Sequence, residues 1–211
     1  KNAFISAEDK NFYEHPGYDM RGILAALVDA VQSRGKRIRG ASTITQQVMK
    51  NFLLDRSRRA ERKVKEIILA TRIERSLTKE QILELYLNEI FLGQNSYGIT
   101  AASQTYFNKT LDELAPHEAA FLAALPKAPS DYHPVREKER LLERRNYVLK
   151  EMFQNGYLPK RIYEYELTQP IKSVQGRDYA GFRAKLPSRN YFTDEIRRQL
   201  SGTFGEEEFF T

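Results

Sequence analysis

The sequence predicts a mainly α-helical domain followed by a polar connector. Apolar residues recur at helical spacing in most segments before Leu158, and few segments alternate with period two. Two helix-start signals agree with this. Thr78 is followed three residues later by Gln81, as in a capping box, and Pro116 suits a first helical turn. Past Leu158 the chain becomes polar with scattered Gly and Pro. We therefore expect a domain over 1–165 and a linker over 166–211.

The apolar residues place the individual helices. The segment from Ile23 to Val31 is apolar apart from one acid. Four further helices are predicted, each with its apolar positions at helical spacing: 60–75 (Val64, Ile67, Ile68, Thr71), 78–91 (83, 86, 87, 90, 91), 116–125, which is fully apolar from Ala119 on, and 135–153, which is basic and amphipathic.

Composition narrows the function without fixing it. The 211 residues carry a net charge of +6, which favours an anionic partner such as nucleic acid, a phospholipid surface or a phosphorylated substrate. Cysteine is absent, so disulfides and thiolate metal sites are excluded. No apolar run approaches the roughly 18 residues that span a bilayer. The abrupt start at Lys1 suggests a piece of a longer protein, whose N-terminal membrane anchor would precede it.

The first candidate site is the acidic and aromatic segment from Glu8 to Asp19. Glu8, Phe12 and His15 share a face if this segment is helical, and the turn at Pro16 can bring Asp19 back towards them. A carboxylate beside aromatic rings and a second acid can have its pKa raised, as a general base requires. The alternative is a solvated acidic turn, which spacing alone favours. One His among carboxylates is a weak metal signal.

The second candidate site is the segment from Gly40 to Lys50, dense in hydroxyls and amides. Ser42 or Thr43 can cap a following helix, whose exposed N–H groups suit phosphate or sugar oxygens. An ordinary cap on an amphipathic helix explains the hydroxyls equally well. It explains the adjacent Gln46 and Gln47 less well.

The third candidate site is the basic run from Arg56 to Glu66. Its usual meaning is a solvated helix face with intrahelical ion pairs, such as Lys63 with Glu66. A functional meaning would be a pyrophosphate clamp.

Between the first two sites, the apolar run from Ile23 leads into cations that end at Arg39. This stretch suits a membrane interface or a core helix with a basic loop.

Together these segments resemble the peptidoglycan glycosyltransferase domain (glycosyltransferase family 51) of class A penicillin-binding proteins. Five family motifs occur in order over residues 1 to about 158, and five in order make coincidence implausible. The matching residues are Glu8-Asp9, Phe12, His15 and Gly17; Gly40 and Ser42 to Gln47; Arg62-Lys63 and Glu66; Ile82 to Asn88; and Arg144 with Val148-Leu149.

The resemblance implies a lysozyme-like helical lobe with a smaller membrane-associated lobe. It implies that lipid II is polymerised into β-1,4-linked glycan at the outer face of the bacterial cytoplasmic membrane, with inversion at MurNAc C1 and release of undecaprenyl pyrophosphate. Moenomycin-type inhibitors would bind as donor mimics. Neither an organic cofactor nor nucleic acid is expected. The resemblance leaves open whether a divalent cation, Mg²⁺ or Mn²⁺, takes part.

The resemblance also assigns roles. Glu8 would be the catalytic base and Glu66 the second essential carboxylate, which either orients the pyrophosphate or helps to bind a cation. Three residues are expected to be structural: Glu84, Asn88 and Arg144. The others would bind substrate or support Glu8: Asp9, Phe12, His15, Ser42, Thr43, Gln46, Gln47, Lys50, Arg58 and Lys63.

Two rival functions remain. A lysozyme-like hydrolase would use Glu8 as a general acid, although it has no pyrophosphate to hold. A basic helical nucleic-acid-binding module would bind DNA in a salt-sensitive way that survives Glu8→Gln.

Overall fold

The computed structural model describes residues 1–32, 42–52 and 59–180, and these parts of the chain are mainly helical. Within them the only β pairing is an isolated antiparallel bridge between Phe91 and Tyr97. The helices are α1 Asn2–Glu8, α2 Met20–Gln32, α3 Ile44–Phe52, α4 Arg59–Ile73, α5 Lys79–Glu89, α6 Ile99–Phe107, α7 Pro116–Ala124, α8 Lys138–Gln154 and α9 Lys160–Thr168, with short 3-10 turns at Leu125–Lys127 and Pro129–Tyr132.

Helix α7 forms the centre of the fold. Every residue from Ala120 to Ala124 is buried, and α7 packs most extensively against α8 and also against α1, α6 and α9. Helix α1 lies against both α7 and α8, whereas α3 packs against α4 and α5. Pro116 occupies the first turn of α7, as predicted. Proline has no backbone N–H, and an N–H at this position would have no acceptor within the helix, so no hydrogen bond is lost. Helix α1, which ends at Glu8, is thus held in the core, and the first candidate site begins at its end.

Helix α5 begins at the predicted cap. The hydroxyl of Thr78 accepts the Gln81 N–H at 3.3 Å, and the Gln81 side chain accepts the Thr78 N–H at 2.9 Å. The predicted positions 83, 86, 87 and 90 are buried. Phe91 is 40% exposed, so its placement on the buried face was wrong: α5 ends at Glu89, and Phe91 turns outward to stack on Tyr97.

Helix α4 forms as predicted, but its buried face is a different one. Val64 and Ile68 are exposed, whereas Glu66 and Ala70 are buried. Two of the four predicted positions on α4 therefore face outward, and the other two, Ile67 and Thr71, are half-buried. On the buried face, Gly17 lies directly against the Ala70 backbone, where a Cβ on residue 17 would come within 2.8 Å of the Ala70 carbonyl.

The predicted linker begins with structure. Helix α9 was not predicted, and residues 169–180 pack onto the core after it ends. Ile171 and Ser173 are buried, and the Val174 N–H donates to the Tyr106 carbonyl at 2.8 Å. The boundary at residue 165 stays a prediction, but the packed part of the described chain continues to 180.

Helix α2 carries the first part of the predicted interfacial segment. Met20, Leu24, Val28 and Val31 are exposed at spacings that place them on one side of the helix. The basic residues that follow lie outside the described residues. Among the described helices, none combines the length and apolarity needed to cross a bilayer.

Candidate active site

The chain from Asp9 to His15 is a turn and not a helix. Helix α1 ends at Glu8, and Asp9 has extended backbone with φ −160°. The shared helical face expected for Glu8, Phe12 and His15 was therefore wrong. Asp19 does come back to this turn, as expected: its carboxylate accepts the side-chain amide of Asn11 and the backbone N–H of Gly22, both at 3.0 Å.

Asp9 and His15 form the first buried polar pair of the site. Nδ1 of His15 accepts the Gly17 N–H at 3.2 Å, so Nε2 carries the ring proton and donates it to Asp9 at 2.9 Å. The same Asp9 oxygen accepts the Ile44 N–H at 2.9 Å, at the first residue of α3. Asp9 thus joins the turn to the α3 N-terminus, where the helix dipole favours a negative charge.

Thr43 is the residue that caps α3. Its hydroxyl accepts the Gln46 N–H at 3.1 Å and donates to the Gly17 carbonyl at 2.7 Å. Gln46 Oε1 in turn accepts the Thr43 N–H at 3.3 Å, which completes a reciprocal cap. This cap fixes the start of α3 against the turn that follows α1.

Glu8 lies at the meeting point of three helices. Its Oε2 accepts the amide of Gln47 on α3 at 2.9 Å, and its Oε1 faces Nη2 of Arg144 on α8 at 3.8 Å. The Glu8 side chain is 13% exposed. The carboxylate is therefore tethered but still reachable from solvent.

Burial raises the pKa of the Glu8 carboxyl above its usual range. The Gln47 hydrogen bond and the positive charges of Arg144 and Lys127 act in the opposite direction, and the negative charge of Asp9 adds to the rise. A carboxylate that is ionised near neutral pH and has an increased affinity for protons is suited to general-base catalysis.

Lys63 gathers the second and third candidate sites into one cluster. Its Nζ lies 2.8 Å from Ser42 Oγ, 3.1 Å from Gln46 Oε1 and 3.3 Å from Glu66 Oε2. Arg62 approaches the other oxygen of Glu66 at 3.4 Å. Glu66 is buried and Lys63 is partly exposed, so the cation reaches solvent and the anion lies behind it.

The two adjacent glutamines of α3 connect the base to this cation cluster. Gln47 donates to Glu8, and Gln46 accepts from Lys63. Gln46 Nε2 is buried and has no partner among the described residues. The cap of α3 already explains Gln46, and the hydrogen bond to Glu8 explains why a second amide follows it at Gln47.

Sequence reasoning missed the support beneath the turn. Lys79 Nζ donates to the His15 carbonyl and to Glu74, both at 2.7 Å, and lies 4.6 Å from the centre of the buried Phe12 ring. Glu74 also accepts the Thr45 hydroxyl at 2.6 Å. Lys79 directly follows the cap of α5, so its position in the sequence gave only a helix-start signal.

Lys50, Glu84 and Asn88 are exposed on their helices. Lys50 lies in the last turn of α3, and Arg58 lies outside the described residues. Glu84 and Asn88 lie on α5, and their expected bracing role stays a prediction. The Asn88 backbone does lie against Gly98, where an added Cβ would come within 2.5 Å of its carbonyl oxygen.

The surroundings of Glu66 do not fit a cation held by protein ligands. Mg²⁺ and Mn²⁺ sites use several oxygen ligands, whereas both Glu66 oxygens are already paired with cationic side chains. Among the described residues, no group of three or more His, Asp or Glu side chains is arranged for a metal.

The chain was compared with protein-family models, curated proteins and solved structures. The family model described as Transglycosylase matches residues 1–153. Penicillin-binding protein 1A of Rickettsia felis is 46% identical over 99% of this chain and 26% of its own length. The proteins of the same name from Haemophilus influenzae and Escherichia coli are 46% and 43% identical over 100% and 98% of this chain, and 24% of their own length.

The chain thus spans about a quarter of the length of the curated relatives it matches. Among solved structures, a crystal structure of penicillin-binding protein 1A from Haemophilus influenzae matches 78% of this chain and 21% of its own, with 38% identity and a TM-score of 0.45.

Proposed function

Because the chain belongs to the transglycosylase family, the peptidoglycan glycosyltransferase domain of class A penicillin-binding proteins, we propose that it polymerises lipid II into β-1,4-linked glycan strands. The observation that carries the proposal is the link through α3. One glutamine tethers a largely buried carboxylate of raised pKa, and its neighbour contacts a cation cluster. Glycosyl transfer from a pyrophosphate requires these two kinds of group.

In the proposed reaction Glu8 removes the proton from the GlcNAc 4-hydroxyl of the acceptor. The freed oxygen attacks MurNAc C1 of the donor, and the bond from C1 to the pyrophosphate oxygen breaks. The electron pair leaves with undecaprenyl pyrophosphate, and attack from the opposite face inverts the anomeric centre. Pyrophosphate is already a good leaving group, so the reaction needs no general acid.

The cation cluster would receive the charge that develops on the leaving group. Lys63 is partly exposed and is held by Ser42, Gln46 and Glu66, so its position is fixed before the substrate arrives. Fixed cations stabilise developing phosphate charge without reorganising during the step. In this scheme Glu66 acts by orienting Lys63, which agrees with its buried, doubly paired carboxylate.

The proposed location is the outer face of the bacterial cytoplasmic membrane. The exposed apolar side of α2 supports contact with lipid, because four apolar residues would otherwise face water. Such contact would bring the site to a substrate whose lipid tail stays in the membrane. Moenomycin-type phosphoglycolipids would compete for the donor side of the cleft.

The proposal is tested by incubating the protein with lipid II and separating the products by size. We expect glycan polymer from the wild type and none from Glu8→Gln. The variant should melt no lower than the wild type, because burial disfavours the ionised form of Glu8 and glutamine carries no charge. Polymer formation by a folded Glu8→Gln protein would show that Glu8 is not the base.

The same experiment separates the two rivals. A hydrolase would leave lipid II intact and degrade purified cell wall. A nucleic-acid-binding module would leave both intact and bind DNA with an affinity that falls steeply with salt and is unaffected by Glu8→Gln.

A further inference from the structure

Two adjacent arginines on α8 have contrasting surroundings. Arg145 is completely buried and donates to the Gln169 carbonyl at 2.6 Å and to the Leu167 carbonyl at 3.4 Å, while Asn146 accepts from its Nε and Nη2. The two carbonyl groups lie at or beside the end of α9. Arg145 is therefore a structural arginine whose hydrogen-bonding groups are directed at the fold.

Arg144 has far fewer partners although it is also largely buried. Its guanidinium lies 4.8 Å from the centre of the Tyr147 ring, and its side chain is 14% exposed. Its Nε is buried and has no hydrogen-bond partner among the described residues. Its ion pair is with Glu8, at 3.8 Å. A buried donor left unpaired costs about 1–3 kcal/mol, so a purely structural role would leave this arrangement unexplained.

The two oxygens of Glu8 differ because of this arrangement. Oε2 is occupied by the Gln47 amide at 2.9 Å. Oε1 faces the Arg144 charge at 3.8 Å, which is beyond hydrogen-bond distance. Oε1 therefore accepts no hydrogen bond from the described residues and is the less committed oxygen for an incoming hydroxyl, while the nearby charge holds the carboxylate in place.

We propose that Arg144 is a positioning residue for the base, which holds Glu8 so that Oε1 is the oxygen that takes the acceptor proton. The inference rests on the proposed function. In the step, the acceptor O–H proton moves to Oε1, the acceptor oxygen bonds to C1, and the electron pair of the broken bond leaves with pyrophosphate. Glu8 becomes neutral and returns its proton to solvent after the product has moved.

Other groups near Glu8 do not provide this contact. Lys127 is an exposed cation that affects Glu8 only through its charge, and Asp9 is committed to His15 and α3. Tyr86 is a buried neutral phenol whose pKa is raised well above its usual range by burial and by the nearby carboxylates. Arg144 is thus the cationic group placed against Oε1.

The test compares Arg144→Gln, Arg144→Lys and the control Arg140→Gln in lipid II polymerisation at a series of pH values. Arg140 is on the same helix, 61% exposed, and paired only loosely with Glu137 at 3.8 Å. We expect Arg144→Gln to lower kcat at least about tenfold with little change in the KM for lipid II. The acidic limb of the rate profile should move to higher pH, because the charge that favours ionised Glu8 is gone.

Arg144→Lys retains a positive charge, so its acidic limb should lie between those of the wild type and Arg144→Gln. Arg140→Gln should have the same kcat and the same limb as the wild type. If Arg144→Gln does not fold, the position of the limb in Arg144→Lys decides. An unmoved limb in a folded Arg144 variant would overturn the inference, even if kcat and melting temperature fell together. Failure of the wild type and of Arg140→Gln to polymerise lipid II would instead refute the proposed function.

Discussion

At the scale of single residues, the site depends on a carboxylate whose environment opposes its ionisation. Burial of Glu8 raises its pKa, and the Gln47 hydrogen bond is the strongest of the interactions that lower it. A general base must be ionised, so the rate falls as the pH falls through this pKa. We therefore expect the acidic limb of kcat/KM to lie above the range of an ordinary glutamate.

Replacing Gln47 tests this account of the limb. Gln47→Ala removes the donor to Oε2, so the pKa of Glu8 should rise further and the limb should move to higher pH. The control is Gln154→Ala at the exposed end of α8, which should leave the profile unchanged. The measurement is the initial rate of polymerisation against pH. A limb that moves to lower pH in Gln47→Ala would contradict this assignment.

Lys63 gives a second prediction at the residue scale. Lys63→Met should lower kcat/KM about a hundredfold, because it removes a fixed cation from the leaving-group side. The matched control is Lys65→Met on the same helix, whose ion pair with Glu61 at 3.0 Å is exposed and worth about 0.5 kcal/mol or less. Activity assays and melting curves of both variants are compared. Equal rates in the two variants would exclude the proposed role of Lys63.

At the scale of elements, the sequence predicted the helices better than the faces that they bury. The cap at Thr78 and the proline at 116 are local signals, and both were confirmed. On α4, periodicity assigns apolar residues to the core, but Val64 and Ile68 are exposed. Here a buried glutamate and the approach of a glycine override that rule.

The turn after α1 shows the same limit. Its motif identified Glu8, Asp9 and His15 through the family resemblance, but the contact of Asp9 with α3 joins residues 35 positions apart. No local pattern predicts such a contact. Lys79 was missed for the same reason, because its partner His15 lies 64 positions away and its own neighbours in the sequence indicate only a helix start.

The contact between this turn and α4 predicts a measurable stability difference. Gly17 has φ +98°, and a Cβ there would lie 2.8 Å from the Ala70 carbonyl carbon and oxygen. Gly156 also has a positive φ, +77°, but nothing lies within 4 Å of the place that a Cβ would take there. Gly156→Ala should cost about 1 kcal/mol of unfolding free energy from backbone strain alone.

Gly17→Ala should cost about 3 kcal/mol or more, since the clash with backbone adds to the strain. Urea unfolding of both variants measures the difference. Equal losses would mean that the turn can move away from α4 without cost. In that case the position of His15 and Asp9 would not depend on this contact.

At the scale of the whole molecule, the resemblance and the fold agree on one helical domain, but they leave its end at different places. The family match ends at 153 and the polar composition suggested 165, yet the described chain is packed as far as 180. Composition alone does not reveal this packing, because it depends on single side chains such as Ile171 and Tyr179 within a polar segment. The Val174 N–H and the Gln169 carbonyl also attach the segment, and such backbone groups leave no trace in composition.

A truncation series decides where the domain ends. Compared with a chain ending at Ala180, one ending at Thr168 loses the buried Ile171, worth about 2 kcal/mol, and the Gln169 carbonyl that accepts from Arg145. A buried cation that loses an acceptor costs a further amount of about 1.5–3 kcal/mol. We therefore expect the shorter chain to lose several kcal/mol of unfolding free energy in urea, at unchanged lipid II specificity if it still folds. Equal urea midpoints would place the end of the domain at or before Thr168, as composition alone suggested. Residues 169–180 would then pack on the domain without contributing to its stability.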